Sequence, residues 1–167
     1  MGKGSSYLYS LNEGTIIKAS INYNSHFHLP KKARQVVMIA NGTGIAPFIG
    51  MLDTKAPTEF YVFWGSRTAA STALYDDYLL EKYATTPRVH FYKSHSGEGD
   101  KQYVQDALRV RRDVLLKVIE DKGVIMICGS LAMQNDVLDL LEETLAQYGT
   151  TDIASLKESG QLKTDCY

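Results

Sequence analysis

Apolar and polar positions alternate in blocks along this chain. Val36 to Ala40 is an unbroken apolar run rich in β-branched residues, the pattern of a strand buried on both faces. Glu59 to Trp64, Val89 to Tyr92, Val124 to Cys128 and Leu162 to Cys166 predict four more strands. Between them the spacing becomes helical. Ile45, Phe48, Ile49 and Leu52 share one face. Leu74, Tyr75, Tyr78, Leu79 and Tyr83 share another, behind a cap at Ser71 or Thr72. Tyr103 to Leu108 begins a helix, and Leu115, Leu116 and Ile119 stripe the next. Met133, Val137, Leu140, Leu141 and Leu145 mark a further one, which Gly149 stops. This alternation predicts an α/β fold: a five-stranded parallel sheet with helices on both faces. Residues 1–30 do not share the pattern. Thr15 to Asn22 alternate weakly, the segment ends at Phe27-His28-Leu29-Pro30, and residues 31–35 form a polar link.

Composition narrows the class. The chain has 167 residues, which suits one domain or one domain plus a fragment, and 44% of them are apolar, enough for a core. Eighteen basic against 19 acidic residues leave a net charge of −1, so no electrostatic case exists for nucleic acid or bulk membrane. No apolar run approaches the roughly 20 residues of a membrane span. Cys128 and Cys166 lie far apart and suggest no disulfide framework, so a reducing, cytosol-facing location is expected. His26 and His28 would share one face of an extended strand, but without a third ligand they read as surface residues.

Candidate chemistry starts at Gly42-Thr43-Gly44, between the first strand and its helix. Glycines let backbone approach a phosphate, and Pro47 sits in the first helical turn, where its missing N–H costs nothing. The spacing is neither Gly-x-Gly-x-x-Gly nor a P-loop, so nucleotide binding and a purely structural turn are both open on these residues. Arg67 follows Gly65-Ser66 at the carboxyl end of the second strand, where open α/β sheets bind ligands. A solvent-facing arginine is the alternative. The loop Lys93 to Lys101 carries glycines and serines suited to a ligand.

Several motifs in order resemble the NADP(H)-binding domain of the ferredoxin–NADP reductase family, most of all diflavin reductases and the sulfite reductase flavoprotein. Gly42-Thr43-Gly44-Ile45-Ala46-Pro47-Phe48 is similar to the family's nicotinamide-nucleotide turn. Gly65-Ser66-Arg67, then Leu74-Tyr75, resembles its Gly-x-Arg and Leu-Tyr elements. Lys101-Gln102-Tyr103-Val104-Gln105 resembles the segment that holds the adenosine 2′-phosphate. Ile127-Cys128-Gly129 resembles the strand end beside the nicotinamide, and Asp165-Cys166-Tyr167 the Asp-x-aromatic ending. The resemblance implies NADP(H) contacts from Gly42, Thr43, Gly44, Pro47, Gly65, Ser66, Arg67, Lys101, Tyr103, Gln105, Gly129 and Met133. It implies catalytic roles for Cys128 beside the nicotinamide C4, Asp165 toward its developing charge, and Tyr167 over the flavin.

Gly2 to Leu8 resembles the turn that holds the FAD pyrophosphate, with Ser5 as a contact; a cloning remnant is the competing reading. Residues 1–30 are then expected to be the end of an FAD-binding barrel, about two strands of it, and residues 33–167 the NADP(H)-binding domain. The barrel's Arg-x-Tyr-Ser motif is absent from this sequence. The implied function is the hydride-donating half of a flavin-dependent oxidoreductase. It would pass electrons from NADPH to FAD and on to an acceptor protein or domain, in the cytoplasm or at the cytoplasmic face of a membrane. Without the full FAD domain the chain itself is not expected to turn over.

Two departures modify this expectation. The family usually places Ser-Arg five or six residues before the lysine corresponding to Lys101, and here His95-Ser96 or Ser94-His95 stand there. The preference for NADPH is therefore expected to be weaker, because a bidentate arginine contact is hard to replace. Asn41 stands where diflavin reductases often have proline, which alters the turn. Two other classes remain: a nucleotide-binding regulatory module without redox activity, and a hydrolase using Ser66 or Ser130. Neither serine has a Gly-x-Ser-x-Gly elbow.

Overall fold

In the computed structural model, residues 3–20, 23–83, 85–148 and 151–167 are described. A helix, α1 (Lys3–Tyr9), precedes the first strand, β1 (Gln35–Asn41). A 3₁₀ turn at Gly42–Ile45 leads into α2 (Ala46–Leu52), then β2 (Glu59–Ser66), α3 (Ala73–Tyr83) and β3 (Val89–His95). Next come α4 (Val104–Val110), α5 (Arg112–Glu120), β4 (Val124–Gly129), α6 (Leu131–Tyr148), α7 (Ile153–Glu158) and β5 (Leu162–Cys166). The five strands form one parallel sheet in the order β3-β2-β1-β4-β5. The chain leaves β1 toward β2 on one side and returns toward β4 on the other. Ligands bind such sheets in the crevice outside that reversal, at the carboxyl ends of the strands.

The period of two along each strand divides the core. Val37, Ile39, Phe63, Ile125 and Ile127 pack with α4, α5, α6 and α7. Val36, Met38, Ala40, Val62, Trp64, Met126 and Cys128 pack with α2 and α3. Both sets are buried, which explains why these strands read as continuous apolar runs.

The differences from the expected elements have local causes. β2 and β3 run past Trp64 and Tyr92, because Gly65 and Ser66 pair with Ser94 and His95. Thr72 stands directly before α3, as expected of a cap, and its carbonyl accepts from Tyr75 and Asp76 N–H. Its buried hydroxyl donates to the Ala69 carbonyl, and Thr68 caps the preceding 3₁₀ turn at Ala69–Ser71, accepting from Ser71 N–H at 3.2 Å. In α3, Leu79 and Tyr83 are buried but Tyr78 is 42% exposed, so the tyrosine stripe is only partly core. Helix α7 was not predicted; Asp152 caps it, accepting from Ser155 N–H at 2.7 Å. Gly149, the expected stop of α6, lies outside the described residues.

Residues 1–30 also differ. Among their described residues the chain forms α1 and no strand. Residues 15–20 of the weakly alternating stretch have no strand beside them to pair with, and Asn22 lies outside the described residues. The Ser5 side chain is outside them too. The segment's end docks firmly: Phe27 is buried with its ring centroid 5.8 Å from that of Phe48, and Lys163 Nζ donates to the His26 carbonyl at 3.1 Å.

Two glycines test the packing. A Cβ on Gly44 would overlap the Cys128 carbonyl and lie 2.7 Å from its carbon, backbone that cannot move aside. Gly50, on the exposed side of α2, has nothing within 4 Å. Gly44→Ala is expected to cost about 3 kcal/mol in urea unfolding, while Gly50→Ala gains about 0.5–1 kcal/mol. Equal midpoints for the two variants would contradict the packing described.

Candidate functional site

The carboxyl ends of β1, β2 and β4 open into a cleft of about 820 Å³. Its β1–β4 side is lined by Asn41, Gly42, Ser130, Ala132, Met133 and Asp136. Its β2–β3 side is lined by Gly65, Ser66, Arg67, Ser96, Gly97 and the segment Lys101 to Val104. Of the residues expected to bind cofactor, Gly42, Gly65, Ser66, Arg67, Lys101, Tyr103 and Met133 therefore meet in one cavity. Three others support its walls: Gly44 lies under Cys128, Gly129 sits against Asn41, and Gln105 Nε2 donates to Asp136 Oδ2 at 3.0 Å. Pro47 is outside the lining, in the first turn of α2.

Local chemistry explains how each wall is held. Gly42 has φ +52°, a left-handed conformation that favours glycine, and buried Trp64 donates Nε1–H to its carbonyl at 3.0 Å. Gly97 lets the loop after β3 close on the end of β2: its N–H donates to the Arg67 carbonyl at 2.7 Å, and a Cβ there would lie 2.6 Å from that oxygen. Asp106 accepts from Tyr103 N–H at 2.9 Å at the start of α4, leaving the exposed Tyr103 ring beside Lys101 in the lining. Among the described residues neither Arg67 nor Lys101 has a carboxylate partner. Two unpaired cations in one cleft wall suit an anionic ligand group.

The three residues expected to be catalytic gather at the adjoining end of β4 and β5. Cys128 pairs in register with Asp165. Tyr167 donates its backbone N–H to the Gly129 carbonyl at 3.0 Å, and its hydroxyl lies 3.0 Å from Thr43 Oγ1. The exposed terminal ring thus reaches the glycine turn. Cys128 is buried, and burial, then the Asp165 charge, pushes its thiol up to about 11. It is a neutral thiol at physiological pH. Cys166 packs on the opposite face of the sheet, so the two cysteines are not placed to bridge.

Sequence reasoning missed the residues that brace the cleft. Asn41 Nδ2 donates to Ser130 Oγ at 2.9 Å, and Ser130 N–H donates to Asn41 Oδ1 at 2.9 Å. The substitution at Asn41 was legible as a departure; its partner 89 positions away was not. His95 Nδ1 lies 2.8 Å from Ser66 Oγ, a pair that bears on the hydrolase alternative. With the Ser66 proton on the Thr68 carbonyl 3.0 Å away, His95 is the donor to Ser66 rather than the acceptor of its proton. No carboxylate bonds to His95 among the described residues, which removes the triad logic from Ser66.

Residues 38–139 match the family model described as oxidoreductase NAD-binding domain. The chain belongs to this family. It is 31% identical to an NADPH-dependent diflavin oxidoreductase 1 of Eremothecium gossypii, over 89% of this chain and 25% of that protein. It is 31% identical to a bifunctional cytochrome P450/NADPH–P450 reductase of Gibberella moniliformis, over 87% of this chain and 14% of that one. Identity to the sulfite reductase [NADPH] flavoprotein alpha-component of Baumannia cicadellinicola is 32%, over 94% of this chain and 28% of the relative. The chain thus spans between 14% and 28% of the length of these relatives. In this NAD-binding domain no helix among the described residues is long and apolar enough to cross a membrane.

The Cys128 thiol makes stability depend on pH. Its folded pKa of about 11 stands above the unfolded value near 9.0. Its contribution is therefore complete below about pH 9 and is lost as pH rises toward 11. Tyr61 and Tyr83, both pushed up to about 12 by burial, act in the same direction. Urea unfolding at pH 8 and 10.5 is expected to show a loss for the native chain that exceeds the loss for Cys128→Ala by about 2 kcal/mol. Identical losses would place the thiol in contact with water.

Proposed function

We propose that this domain binds NADP(H) in the cleft and serves as the hydride-donating half of a flavin-dependent oxidoreductase. The observation that carries the reading is one cleft with chemically distinct ends. Arg67 and Lys101, without a carboxylate partner among the described residues, share one wall with Tyr103; the glycine turn and Ser130 form the other. An adenosine 2′-phosphate suits the cationic wall. The remainder of the dinucleotide then runs toward Gly42 and Thr43. Cys128, Asp165 and Tyr167 lie at the end where the nicotinamide would sit. FAD is the group to which the hydride passes, and it supplies the electron-accepting ring when present. Residues 1–30 are proposed as the edge of an FAD domain and residues 33–167 as the nucleotide domain.

Each residue's part follows from its chemistry. Arg67 and Lys101 bind the phosphate by charge-assisted hydrogen bonds. Tyr103 offers a ring face and a hydroxyl. Thr43 offers a hydroxyl to ribose or diphosphate, in place of its bond to Tyr167. Cys128 presents a neutral, polarisable thiol rather than a nucleophile, and Asp165 a carboxylate toward positive charge developing on the nicotinamide. Ser66 is a weaker candidate donor than expected, because its proton is engaged by Thr68.

The names of the relatives support NADPH as donor and, among acceptors, a haem or sulfite-reducing partner for the whole protein. We propose an electron-acceptor protein or domain as partner, and a reducing compartment, cytoplasmic or at its membrane face, in keeping with two free cysteines.

Calorimetry with both nucleotides tests the reading. NADP⁺ is expected to bind more tightly than NAD⁺, by less than about 2.7 kcal/mol or a hundredfold. Lys101→Ala should remove about tenfold of NADP⁺ affinity and leave NAD⁺ unchanged. Equal affinity of the native chain for the two nucleotides would detach Lys101 from the 2′-phosphate.

A further inference from the structure

At the rim of the cleft, hydrogen-bond accounting assigns a direction to one proton. Ser130 N–H can only donate, so the Asn41 side-chain atom 2.9 Å from it is the amide oxygen Oδ1. The other amide atom is then Nδ2, which donates to Ser130 Oγ at 2.9 Å. Met133 N–H donates to the same oxygen at 3.3 Å. Both lone pairs of Oγ are filled. The hydroxyl proton occupies the remaining tetrahedral direction, and among the described residues no acceptor meets it. Ser130 lines the cleft.

We propose that Ser130 Oγ–H is a fixed hydrogen-bond donor to a phosphoryl oxygen of the dinucleotide's diphosphate bridge, with Asn41 as the positioning residue that turns the proton into the cleft. This rests on the dinucleotide reading above. A free serine both donates and accepts, so it accommodates a ribose hydroxyl, an amide or a phosphate alike. With its lone pairs filled, Ser130 can only donate, and the matching ligand atom is an acceptor. Diphosphate oxygens are acceptors only. Ser130 also lies on the wall opposite Arg67 and Lys101, beside the glycine turn, so it meets a part of the ligand distinct from the 2′-phosphate. The pair constrains its surroundings as well. Gly129 has φ +146°, and a Cβ on it would overlap Asn41 Oδ1, so the amide occupies the space a side chain at 129 would need.

Titration calorimetry of the full chain with NADP⁺ and with adenosine 2′-monophosphate, which lacks the diphosphate, tests this. The native chain should bind both. Ser130→Ala should weaken NADP⁺ about tenfold and leave the monophosphate unchanged; Ser130→Thr, which keeps the hydroxyl, should restore NADP⁺ affinity. Asn41→Ala should also weaken NADP⁺, and the double variant Asn41→Ala/Ser130→Ala should be no weaker than Ser130→Ala alone, because Asn41 acts through the serine. Native affinity for NADP⁺ in Ser130→Ala overturns the proposal. So does an equal loss for both ligands, which assigns Ser130 to the fold alone, and so does full additivity of the two substitutions. A native chain that binds neither ligand overturns the dinucleotide reading instead.

Discussion

The structure depends on how closely the turn after β1 approaches the end of β4. Gly44 lies against the Cys128 carbonyl with no room for a side chain, and Gly129 lies against the Asn41 amide. These two contacts bring the ends of neighbouring parallel strands together where the chain reverses its direction across the sheet. The crevice at that point is framed by these close contacts, so its shape is present before any ligand arrives. Trp64 extends the same constraint sideways, holding the Gly42 carbonyl from the buried end of β2. A pre-formed crevice loses little conformational freedom on binding, which favours affinity from few contacts.

The side chains around the crevice divide the work. Among the described residues Arg67 and Lys101 have no carboxylate partner, on the end of β2 and the loop after β3, while the β1–β4 side contributes donors held in place by neutral hydrogen bonds. In the proposed reading, charge distinguishes nucleotides at one end and geometry orients the rest of the ligand at the other. The neutral, buried Cys128 lies beyond that orienting end. Its thiol is protected from ionisation by burial, which suits contact with an uncharged or developing cationic ring better than covalent chemistry.

Much of this was legible in the sequence because β1, β2 and β4, buried on both faces, leave long apolar runs, while the half-buried β3 and β5 were found from shorter ones. Gly65 read as a strand end because glycine usually interrupts strands, yet parallel pairing with Asn41 and Ser94 carries β2 through it. Helix α7 escaped because six residues give too few turns for a periodic stripe, with Leu156 its one buried apolar residue. The Asp152-Ser155 cap was the available signal. For the cleft, Gly42, Arg67, Lys101 and Tyr103 were found through motif order, whereas the bond from Asn41 to Ser130 joins positions no local pattern connects. The engagement of Ser66 by Thr68 was equally invisible, since it depends on where one proton goes. Residues 1–30 were read through a resemblance to barrel strands, and strand pairing needs a neighbour that this segment does not have among the described residues.

The central claim is that one dinucleotide spans the cleft from the cationic wall to the glycine turn. Backbone amide NMR of the isotope-labelled chain, titrated with NADP⁺, tests it most directly. The account predicts shift changes concentrated at Gly42 to Ile45, Ser66 to Arg67, Ser96 to Val104 and Ser130 to Asp136, with little change near the hollow lined by Leu29, Gly50 and Ala56. Changes confined to that hollow, or absent from both walls of the cleft at saturation, would contradict it.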